Sequence, residues 1–449
     1  MPEKRTHILI VGGGYVGMYT ALHLQRRLRR ELRRGQVEIT VVDPQSYMTY
    51  QPFLPEAAAG NLEPRHVVAP LRRILSRCTI LNGRVVRLEH AARLAHVQVA
   101  KDELRDVPYD LLVMAAGSIS RTLPIPGLAE SGIGFKTVAE AIFLRNQVLA
   151  RLDLAVSTQN DALRRRSLTF VFVGGGFAGV EALAELEDMA RDAIHYYPGL
   201  SARDMRWILV EASGRILPEV GPDMGRWAVE ALRARGIEVR LDTLLTSAEG
   251  GRIVLSDGSA FEAGTLVWTA GVKPHPVVNA TDLPLDEHGR VRATAELTVS
   301  GVPGAFTAGD NAAVPDVTKP GELCAPNAQH AVRQASRLAA NIAATLRGRP
   351  LKPYRHAYAG SVASLGLHKG VAQIYGVQVK GFPAWFMHRT YHLSRVPTLN
   401  RKVRVAADWT LALFFHRELV SLGTLQRPRE EFDLATGHRE GGRSGGEAG

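Results

Sequence analysis

The pattern of apolar runs and glycine turns along the chain predicts two similar units. One short apolar run leads into a glycine turn at residues 12–17, and a second leads into the same kind of turn at residues 174–179. Each run has the length of a strand, and helical spacing of apolar residues follows each turn. The chain is therefore predicted to contain an internal repeat of strand, turn and helix.

Each predicted helix continues into a second strand that closes on an acidic residue. In the first unit, a helix over residues 18–34 precedes a strand at 37–42, and Asp43 follows it. In the second unit, a longer helical stretch from residue 180 precedes a strand at 206–210, and Glu211 follows it. This order is that of a βαβ unit. The fold class predicted is α/β, with two Rossmann-type dinucleotide-binding domains.

Three further strands decide how the units are arranged. Apolar strands are predicted around residues 111–117, 266–271 and 305–310, and a helix over 327–347 ends before Gly348 and Pro350. The last strand and helix are expected to return to the first unit, so the second domain is inserted in the first. The predicted divisions are residues 1–134 and 290–350 for the first domain, 135–289 for the second, 351–425 for a C-terminal interfacial region and 426–449 for a disordered tail.

Composition agrees with a globular protein of several domains. Hydrophobic residues make up 45% of the 449 residues and charged residues 22%, which are ordinary values. The apolar run at residues 8–11 is shorter than a signal-peptide core and ends in glycine. We therefore predict no export signal and a cytoplasmic location.

Cysteine content narrows the chemistry. Cys78 and Cys324 stand at unrelated positions, which gives neither a disulfide framework nor a zinc spacing. Disulfide reductases need a redox-active pair close in sequence, and sulfide-oxidising flavoproteins need several cysteines. Neither chemistry is expected, and no metal site is predicted.

A formal net charge of +11 favours an anionic partner without identifying it. The most basic run, at residues 26–34, carries Leu24, Leu28 and Leu32 at helical spacing. That spacing is typical of a helix with one buried stripe and a solvated basic face. We therefore predict no nucleic-acid partner.

The two glycine turns have the spacing of a dinucleotide site. The first glycine allows the tight turn, the second lets the backbone approach a pyrophosphate, and the third lets helix pack on strand. Asp43 and Glu211 can each accept hydrogen bonds from ribose hydroxyls. Because no arginine follows Glu211 before Arg215, a 2′-phosphate is disfavoured and NADH is expected rather than NADPH.

A further carboxylate follows the third strand. Asp310 comes after Gly309, where it can bind a polyol hydroxyl, and a helix beginning near Asn327 follows downstream. If a flavin pyrimidine lies beyond Asp310, the N-terminus of that helix stabilises negative charge on the reduced ring.

Together these motifs resemble the type II NADH dehydrogenases, single-subunit NADH:quinone oxidoreductases, over about residues 6–425. The resemblance implies bound FAD, hydride transfer from NADH to FAD, and transfer of two electrons to a quinone without proton pumping. It is carried by the two glycine turns with Asp43 and Glu211, by Gln51-Pro52, Ala115-Ala116-Gly117, Glu181, residues 215–218, residues 268–272, residues 307–310 and Ala328-Gln329.

The resemblance also implies roles for individual residues. The family's Ala-Gln-x-Ala-x-Gln quinone motif corresponds to residues 328–333, where Arg333 stands in the second Gln position and Gln334 one residue late. The candidate catalytic residues are Glu181, Gln329, His330, Arg333 and Lys369. The candidate cofactor-binding residues are Gly12, Gly14, Tyr15, Val16, Gly17, Asp43, Gln51, Val86, Ala116, Gly117, Gly174, Gly176, Phe177, Gly179, Glu181, Glu211, Ala270, Gly271, Gly309, Asp310, Ala328 and Gln329.

Residues 376–425 mix aromatic and basic side chains, and the family uses this region as a peripheral membrane anchor. The sequence predicts binding to an anionic bilayer surface, on the inner face of the cell membrane, with a homodimer interface as the alternative. The aromatic residues expected at this surface are Phe382, Trp385, Phe386, Tyr391, Trp409, Phe414 and Phe415, with Leu411 among them.

Two other functions stay open from the sequence. The same fold serves enzymes with another acceptor, such as a soluble diaphorase or a ferredoxin reductase. It also serves signalling flavoproteins that resemble apoptosis-inducing factor, in which NADH binding switches partners.

Overall fold

The structure is a computed structural model, and it describes residues 5–356, 360–415 and 417–423, together with residue 435. The tail predicted at residues 426–449 lies outside the described residues, apart from residue 435.

The first part of the chain builds most of a parallel sheet and a small antiparallel sheet beside it. Its first two parallel strands belong to the predicted βαβ unit. One ends at the glycine turn, and the other ends on Asp43. In chain order its elements are β1 (Thr6–Val11), α1 (Tyr15–Arg27), α2 (Arg29–Arg33), β2 (Val37–Asp43), β3 (Tyr47–Thr49), α3 (Leu54–Ala58), β4 (Val68–Pro70), α4 (Leu71–Ile74), β5 (Thr79–Asn82), β6 (Arg84–Glu89), β7 (Leu94–Ala100), β8 (Glu103–Pro108), β9 (Leu111–Met114) and β10 (Ser118–Ser120).

The second part repeats this plan. A helix follows the second glycine turn, and a small antiparallel sheet again stands beside a parallel one. Its elements are α5 (Leu128–Ser131), β11 (Gly132–Ile133), α6 (Val138–Ser157), α7 (Asp161–Ser167), β12 (Thr169–Val173), α8 (Phe177–Ala193), β13 (Arg206–Val210), α9 (Pro222–Arg233), β14 (Glu238–Arg240), β15 (Leu245–Ser247), β16 (Arg252–Leu255), β17 (Ala260–Glu262), β18 (Thr265–Trp268) and β19 (Val272–Pro274).

The rest of the described chain returns to the first part and then forms a C-terminal layer. The layer is an antiparallel sheet followed by two helices. The elements are β20 (Val291–Arg292), β21 (Ala305–Thr307), β22 (Ala312–Ala313), α10 (Ala328–Leu346), β23 (Gly360–Ser364), β24 (Gly370–Ile374), β25 (Val377–Lys380), α11 (Phe382–Arg395) and α12 (Leu399–Phe414).

Two five-stranded parallel sheets organise the fold. The first has the order β21-β9-β1-β2-β5, and the second has the order β11-β18-β12-β13-β14. In each sheet the strand before the glycine turn lies in the interior of the order, flanked by β9 and β2 or by β18 and β13. Strands β9, β12 and β18 are buried along their whole length, as expected where helices cover both faces.

The predicted insertion of one unit in the other is confirmed. β21 pairs in parallel with β9, so the chain returns to the first sheet after completing the second. The antiparallel pair β10 and β19 connects the two units. β11, which the predicted boundary at residue 135 leaves in the first domain, pairs with β18 of the second sheet.

The basic run forms a buried stripe, as predicted, but it is two helices rather than one. Leu28 leaves helical geometry at φ −107° and ψ 25°, which ends α1 and starts the short α2. Leu24 and Leu28 are fully buried, whereas Arg26, Arg29 and Arg30 are exposed. The break lets Leu28 fill the core while the arginines stay in water.

The C-terminal layer packs over both units. Its residues Ala363, Val371 and Val405 share one hydrophobic core with Leu183 of α8 and Leu54 of α3. Among the described helices, none has the length and apolar content needed to cross a bilayer.

Candidate functional site

Two positions of the first glycine turn have no room for a side chain. Gly12 has φ +100°, and a Cβ there would overlap the carbonyl of Ala115. A Cβ on Gly17 would overlap the carbonyl of Gly12, because helix α1 lies directly on the turn. Gly14 instead faces open space, and no side chain caps the helix that begins after it. The free N–H groups of α1 therefore face an open cradle suited to a pyrophosphate.

Asp43 holds this turn from the end of β2. Its Oδ2 accepts a hydrogen bond from the Gly13 amide at 2.6 Å, and its Oδ1 accepts one from Gln45 at 2.6 Å. Burial raises the pKa of Asp43, and these two amide hydrogen bonds oppose that rise. The carboxylate thus stands beside the cradle, where the sequence predicts ribose binding.

The second turn reproduces the first in its contacts. Gly174 has φ +115°, and a Cβ there would lie 2.7 Å from Thr269 Oγ1. Gly176 faces open space at the uncapped start of α8. Glu211 accepts a hydrogen bond from the Gly175 amide at 2.6 Å, so both turns are fixed by the acid that ends the neighbouring strand.

Ser213 is a functional candidate that the sequence reasoning missed. Its amide and hydroxyl both donate to Glu211 Oε1, at 2.8 Å and 2.7 Å. The carbonyl of Arg215, 2.9 Å from the same hydroxyl, is the alternative acceptor for its one proton. The side chain therefore orients Glu211. A serine two residues after the acidic strand end is the sequence signal that indicates this role.

The remaining cofactor-binding candidates gather around these turns. Tyr15 and Val16 begin α1, Phe177 begins α8, and Ala328 and Gln329 begin α10. Open space also lies beside Gly117 and Gly271, at φ +70° and +92°. Val86 is half-buried at the bulge of β6, a strand that packs against β2. Individual contacts of these residues with a cofactor stay predictions.

The pairing of β9 with β21 brings together the predicted flavin residues. Ala116 and Gly117 follow β9, and Gly309 and Asp310 follow β21. Asn311 joins the two strand ends, because its Oδ1 accepts from the Gly117 amide at 2.9 Å.

A lysine and a serine meet Asp310. The Ser118 hydroxyl donates to Asp310 Oδ2 at 2.5 Å, and Lys136 Nζ donates to the Ser118 hydroxyl. Among the residues that the structure describes, Oδ1 of Asp310 receives no hydrogen bond and is available to a ligand hydroxyl. The sequence reasoning did not include Ser118 or Lys136.

Glu181 is a buried acid rather than an exposed helix residue. Its Oε1 accepts a hydrogen bond from the Ser364 amide at 2.8 Å and lies 3.1 Å from His388 Nε2. Burial raises the pKa of Glu181 to about 8, against the lowering effect of Ser364, and burial and Arg389 lower the pKa of His388 to about 3. These shifts place a proton on the carboxyl and leave the imidazole neutral at pH 7.

Two more buried glutamates adjoin this pair. Glu185 accepts hydrogen bonds from the Ser364 hydroxyl at 3.0 Å and from Asn61 Nδ2 at 3.1 Å. Glu56 accepts one from Trp409 Nε1 at 2.7 Å and pairs with Arg389 Nη2 at 2.9 Å. Burial raises the pKa of both acids, although Arg389 opposes the rise.

A line of aromatic and imidazole rings runs from Glu181 towards the first glycine turn. The His388 and His392 rings lie 4.5 Å apart, and His392 Nδ1 lies 3.2 Å from the Tyr50 hydroxyl. The Tyr50 and Tyr15 rings are 6.2 Å apart. The sequence reasoning missed this line because its members come from α1, the loop before α3, and α11.

The altered quinone motif lies at the other end of β23. Gln329 Nε2 donates to the Gly360 carbonyl at 3.1 Å, and Arg333 Nη1 donates to the Gln329 carbonyl at 3.1 Å. His330 is close to the Tyr354 hydroxyl at 3.0 Å. Gln334 is buried and accepts from the Gly309 amide at 2.8 Å, so it supports the strand end before Asp310.

Lys369 is a candidate catalytic residue at the Ser364 end of β23, away from Gln329. It lies in the exposed turn between β23 and β24, where its amide donates to the Gly366 carbonyl at 3.2 Å. The neighbouring Leu367 amide donates to Asp188, on the far side of Ser364 from Gln329. Lys369 therefore lies at the opposite end of β23 from Gln329, and its catalytic role stays a prediction.

The aromatic residues of the C-terminal helices divide between two faces. Trp385 is 8% exposed, and Trp409 and Arg389 point inward to Glu56, so these three do not belong to the predicted surface. Trp409 and Arg389 contact the buried Glu56, and the Arg389 guanidinium lies 4.3 Å from the centre of the Trp385 ring. The apolar residues that remain exposed are Phe382, Phe386, Leu399, Val403, Leu411, Leu413, Phe414 and Phe415.

Comparison with known proteins agrees with this geometry. A family model described as pyridine nucleotide-disulphide oxidoreductase matches residues 6–335. The type II NADH:quinone oxidoreductase Ndh of Mycobacterium tuberculosis is 28% identical over 93% of this chain and 90% of that protein. The demethylphylloquinone reductase NdbB of Synechocystis is 30% identical over 91% of this chain and 96% of that protein.

A solved structure matches the fold along almost the whole chain. The structure of NDH2 from Plasmodium falciparum in complex with NADH has a TM-score of 0.85 at 17% identity. The match covers 93% of this chain and 100% of that one. A match of that length extends beyond residue 335, where the family model ends.

Proposed function

This chain belongs to the pyridine nucleotide-disulphide oxidoreductase family, and on that premise we propose that it oxidises NADH through bound FAD and reduces a quinone. The observation that carries the proposal is the pair of open glycine cradles, each at an uncapped helix N-terminus and each beside a fixed carboxylate. The names of the Mycobacterium and Synechocystis relatives support a quinone as the acceptor.

Each unit has residues for one nucleotide. Asp43 and the amides that follow Gly14 would hold the adenosine ribose and pyrophosphate of FAD, and Asp310 would hold its ribityl chain. Glu211, oriented by Ser213, would accept from the ribose hydroxyls of NADH and repel the 2′-phosphate of NADPH. FAD, when bound, supplies the two-electron redox chemistry, and the protein positions the reactants and excludes water.

Glu181 is the residue proposed to hold a proton for the quinone. Quinone reduction consumes two protons, and a buried carboxyl that is protonated at neutral pH can supply one. His388 Nε2 lies 3.1 Å from Glu181 Oε1, and a neutral imidazole at that distance leaves the proton on the carboxyl.

Gln329 and Arg333 are proposed to donate hydrogen bonds to the quinone oxygen. They stand one turn apart on α10, and β23 connects them to Glu181, because Gly360 lies beside Gln329 and Ser364 beside Glu181. Arg333 would replace the family's second Gln as a cationic donor to developing negative charge.

Anaerobic stopped-flow spectroscopy tests the function in its two halves. NADH should bleach the flavin faster than NADPH does, and menaquinone or ubiquinone analogues should then restore its absorbance. Arg333→Ala should slow only the second half, by about tenfold to a thousandfold, the range for losing one such donor. Arg337→Ala, one turn further along α10, is the matched control.

The outcomes distinguish the alternatives left open by the sequence. Reoxidation by an iron–sulfur protein but not by quinones would establish a ferredoxin reductase instead. A long-lived complex of reduced flavin and nicotinamide that no quinone oxidises would favour a signalling flavoprotein.

The exposed apolar face of α11 and α12 is proposed to bind the surface of an anionic membrane, on the cytoplasmic face where NADH is available. Basic residues lie on α12 together with these apolar residues, among them Arg401 and Arg404. Apolar side chains bordered by arginines suit the headgroup region. The same face is the candidate homodimer interface.

Sedimentation with vesicles decides between these two uses of the face. The protein should bind vesicles containing phosphatidylglycerol more than neutral ones, and salt should weaken binding. Leu413→Ser with Phe414→Ser should reduce binding, whereas Leu104→Ser on exposed β8 should not. A protein that binds neither vesicle, and whose dimer in light scattering is dissociated by the double substitution, would use the face as a subunit contact.

A further inference from the structure

Lys136 is fixed at the junction of the two units by contacts on both sides of its backbone. Its amide donates to Glu140 Oε2 at 2.8 Å, next to the capping box that Thr137 and Glu140 form at the start of α6. Its carbonyl accepts from Gln51 Nε2 at 3.3 Å. The backbone is therefore tied to α6 of the second unit and to a predicted FAD residue of the first.

The side chain of Lys136 extends from this junction to the strand ends of the first sheet. Its Nζ donates to the Ser118 hydroxyl, which in turn donates to Asp310 Oδ2 at 2.5 Å. Nζ itself lies 3.9 Å from that carboxylate oxygen, and both side chains are about three-quarters buried, with exposures of 23% and 24%. Burial lowers the pKa of Lys136, while Asp310 and Glu140 raise it.

The direction of these hydrogen bonds is defined. A lysine ammonium only donates, and a carboxylate only accepts, so the hydroxyl of Ser118 must accept from one and donate to the other. The second carboxylate oxygen of Asp310 stays available to a ligand. The three residues form a neutral unit whose open end faces the predicted flavin site.

A neutral unit suits this position better than an isolated carboxylate. FAD carries two phosphate charges, and its ring gains negative charge when it is reduced. An unpaired Asp310 would oppose both, and a partly buried carboxylate without a cation is itself costly. A cation held beside Asp310 removes this repulsion while leaving the carboxylate free to accept hydrogen bonds.

We propose that Lys136 is a flavin-positioning residue that acts through Ser118 and Asp310, strengthening FAD binding and favouring the reduced state of the flavin. The proposal rests on the assignment of FAD to the first unit, and it is independent of the identity of the electron acceptor. It adds to the site a residue that neither glycine turn contains.

The purified holoprotein allows two measurements that do not depend on turnover. Lys136→Met should increase the dissociation constant of FAD about tenfold. If the reduced flavin loses ten times more affinity than the oxidised flavin, the midpoint potential falls by about 30 mV for a two-electron couple. Lys136→Arg, which keeps the charge, should shift both values less.

Lys273→Met is the matched control. Lys273 is exposed on β19, opposite Ile119 and one residue from the register of Ser118, so the substitution removes the same charge nearby without touching Asp310. It should leave FAD affinity and potential at their original values. In a double-mutant cycle, Lys136→Met should add little to Asp310→Asn, because both act through one carboxylate.

The proposal is overturned if Lys136→Met matches Lys273→Met in both measurements. Should Lys136→Met fail to fold, Ser118→Ala decides, since it removes only the bridging hydroxyl. A lower potential and weaker FAD binding in Ser118→Ala support the proposal, and unchanged values overturn it. If the flavin shifts of Lys136→Met are present but quinones do not reoxidise the wild-type flavin, the proposed acceptor alone is wrong.

Discussion

The two glycine turns are built alike, but the helices that follow them serve different surfaces. After the first turn, α1 buries Val16, Met18 and Leu24 and packs on α10 of its own unit. After the second turn, α8 buries three glutamates as well as leucines, and it packs on α3 and β23 outside its own unit. The helix of the first repeat packs mainly on its own unit. The helix of the second repeat also contacts the first unit and the C-terminal layer.

This difference teaches where local sequence stops determining structure. The hydrogen bonds of Asp43 and Glu211 to their glycine turns are nearly identical, at 2.6 Å in both units, because spacing within one βαβ unit fixes them. The partners of Glu181 and Glu185 come from Asn61, Ser364 and His388, far away along the chain. The turn contacts are therefore set within each βαβ unit, whereas the partners of the α8 glutamates are set by tertiary packing.

The largest expected effect comes from removing Arg389, the cation that pairs with the buried Glu56. Arg389→Leu should lower the free energy of unfolding by about 3–5 kcal/mol, the usual result of removing one partner of a buried ion pair. It leaves Glu56, whose side chain is 2% exposed, without its 2.9 Å partner. Arg395→Leu, on the exposed end of the same helix, should cost less than about 1 kcal/mol. Equal losses in urea denaturation would mean that the buried pair of Arg389 and Glu56 contributes no more than an exposed arginine of the same helix.

A smaller effect tests the similarity of the two turns. Asp43→Asn should weaken FAD binding, and Glu211→Gln should weaken NADH binding, by about tenfold to a hundredfold each, because a charge-assisted hydrogen bond contributes about 1.5–3 kcal/mol. Each substitution should spare the other nucleotide. Isothermal titration with NADH and flavin release on dilution measure the two affinities. A substitution that weakens both nucleotides equally would mean that the turns do not act separately.

The smallest effect is a dependence of stability on pH that belongs to the second helix. Glu181 has a pKa raised from 4.5 to about 8, so the folded state holds its proton more tightly and stability falls as pH rises through that range. His388, lowered from 6.5 to about 3, gives the opposite slope below 6.5. The window from about pH 6.5 to 8 therefore isolates the carboxyl from the imidazole.

In that window Glu181→Gln should remove a loss of up to about 1.4 kcal/mol per pH unit. Glu185→Gln provides the comparison, since the pKa of Glu185 is also raised by burial. Urea denaturation at pH 6.5, 7.25 and 8 measures the slopes. If both variants keep the slope, other groups cause the pH dependence. Glu56, whose pKa is also raised by burial, is then the first candidate.

The sequence predicts most of the fold and about half of the site. The parallel strands, both glycine turns, Asp43, Glu211 and the return of β21 follow from local pattern, because strand ends of a parallel sheet meet at one edge. It does not predict Ser118 with Lys136, or His388 with Glu181, since those contacts depend on tertiary packing. It is wrong for Trp385 and Trp409, because an aromatic residue on an amphipathic helix reads the same whether it meets lipid or Glu56.

The ionic partners of α8 and α3 also set an order of events during synthesis. Domains fold largely from the N-terminus as the chain emerges, yet the cation that pairs with Glu56 arrives only at Arg389. Until residue 389 has been synthesised, both glycine turns are present in the growing chain, but Glu56 has no cation to pair with. A chain that ends before α11 would leave Glu56 without this partner. We expect proteases to degrade such a chain, so that little stable protein accumulates.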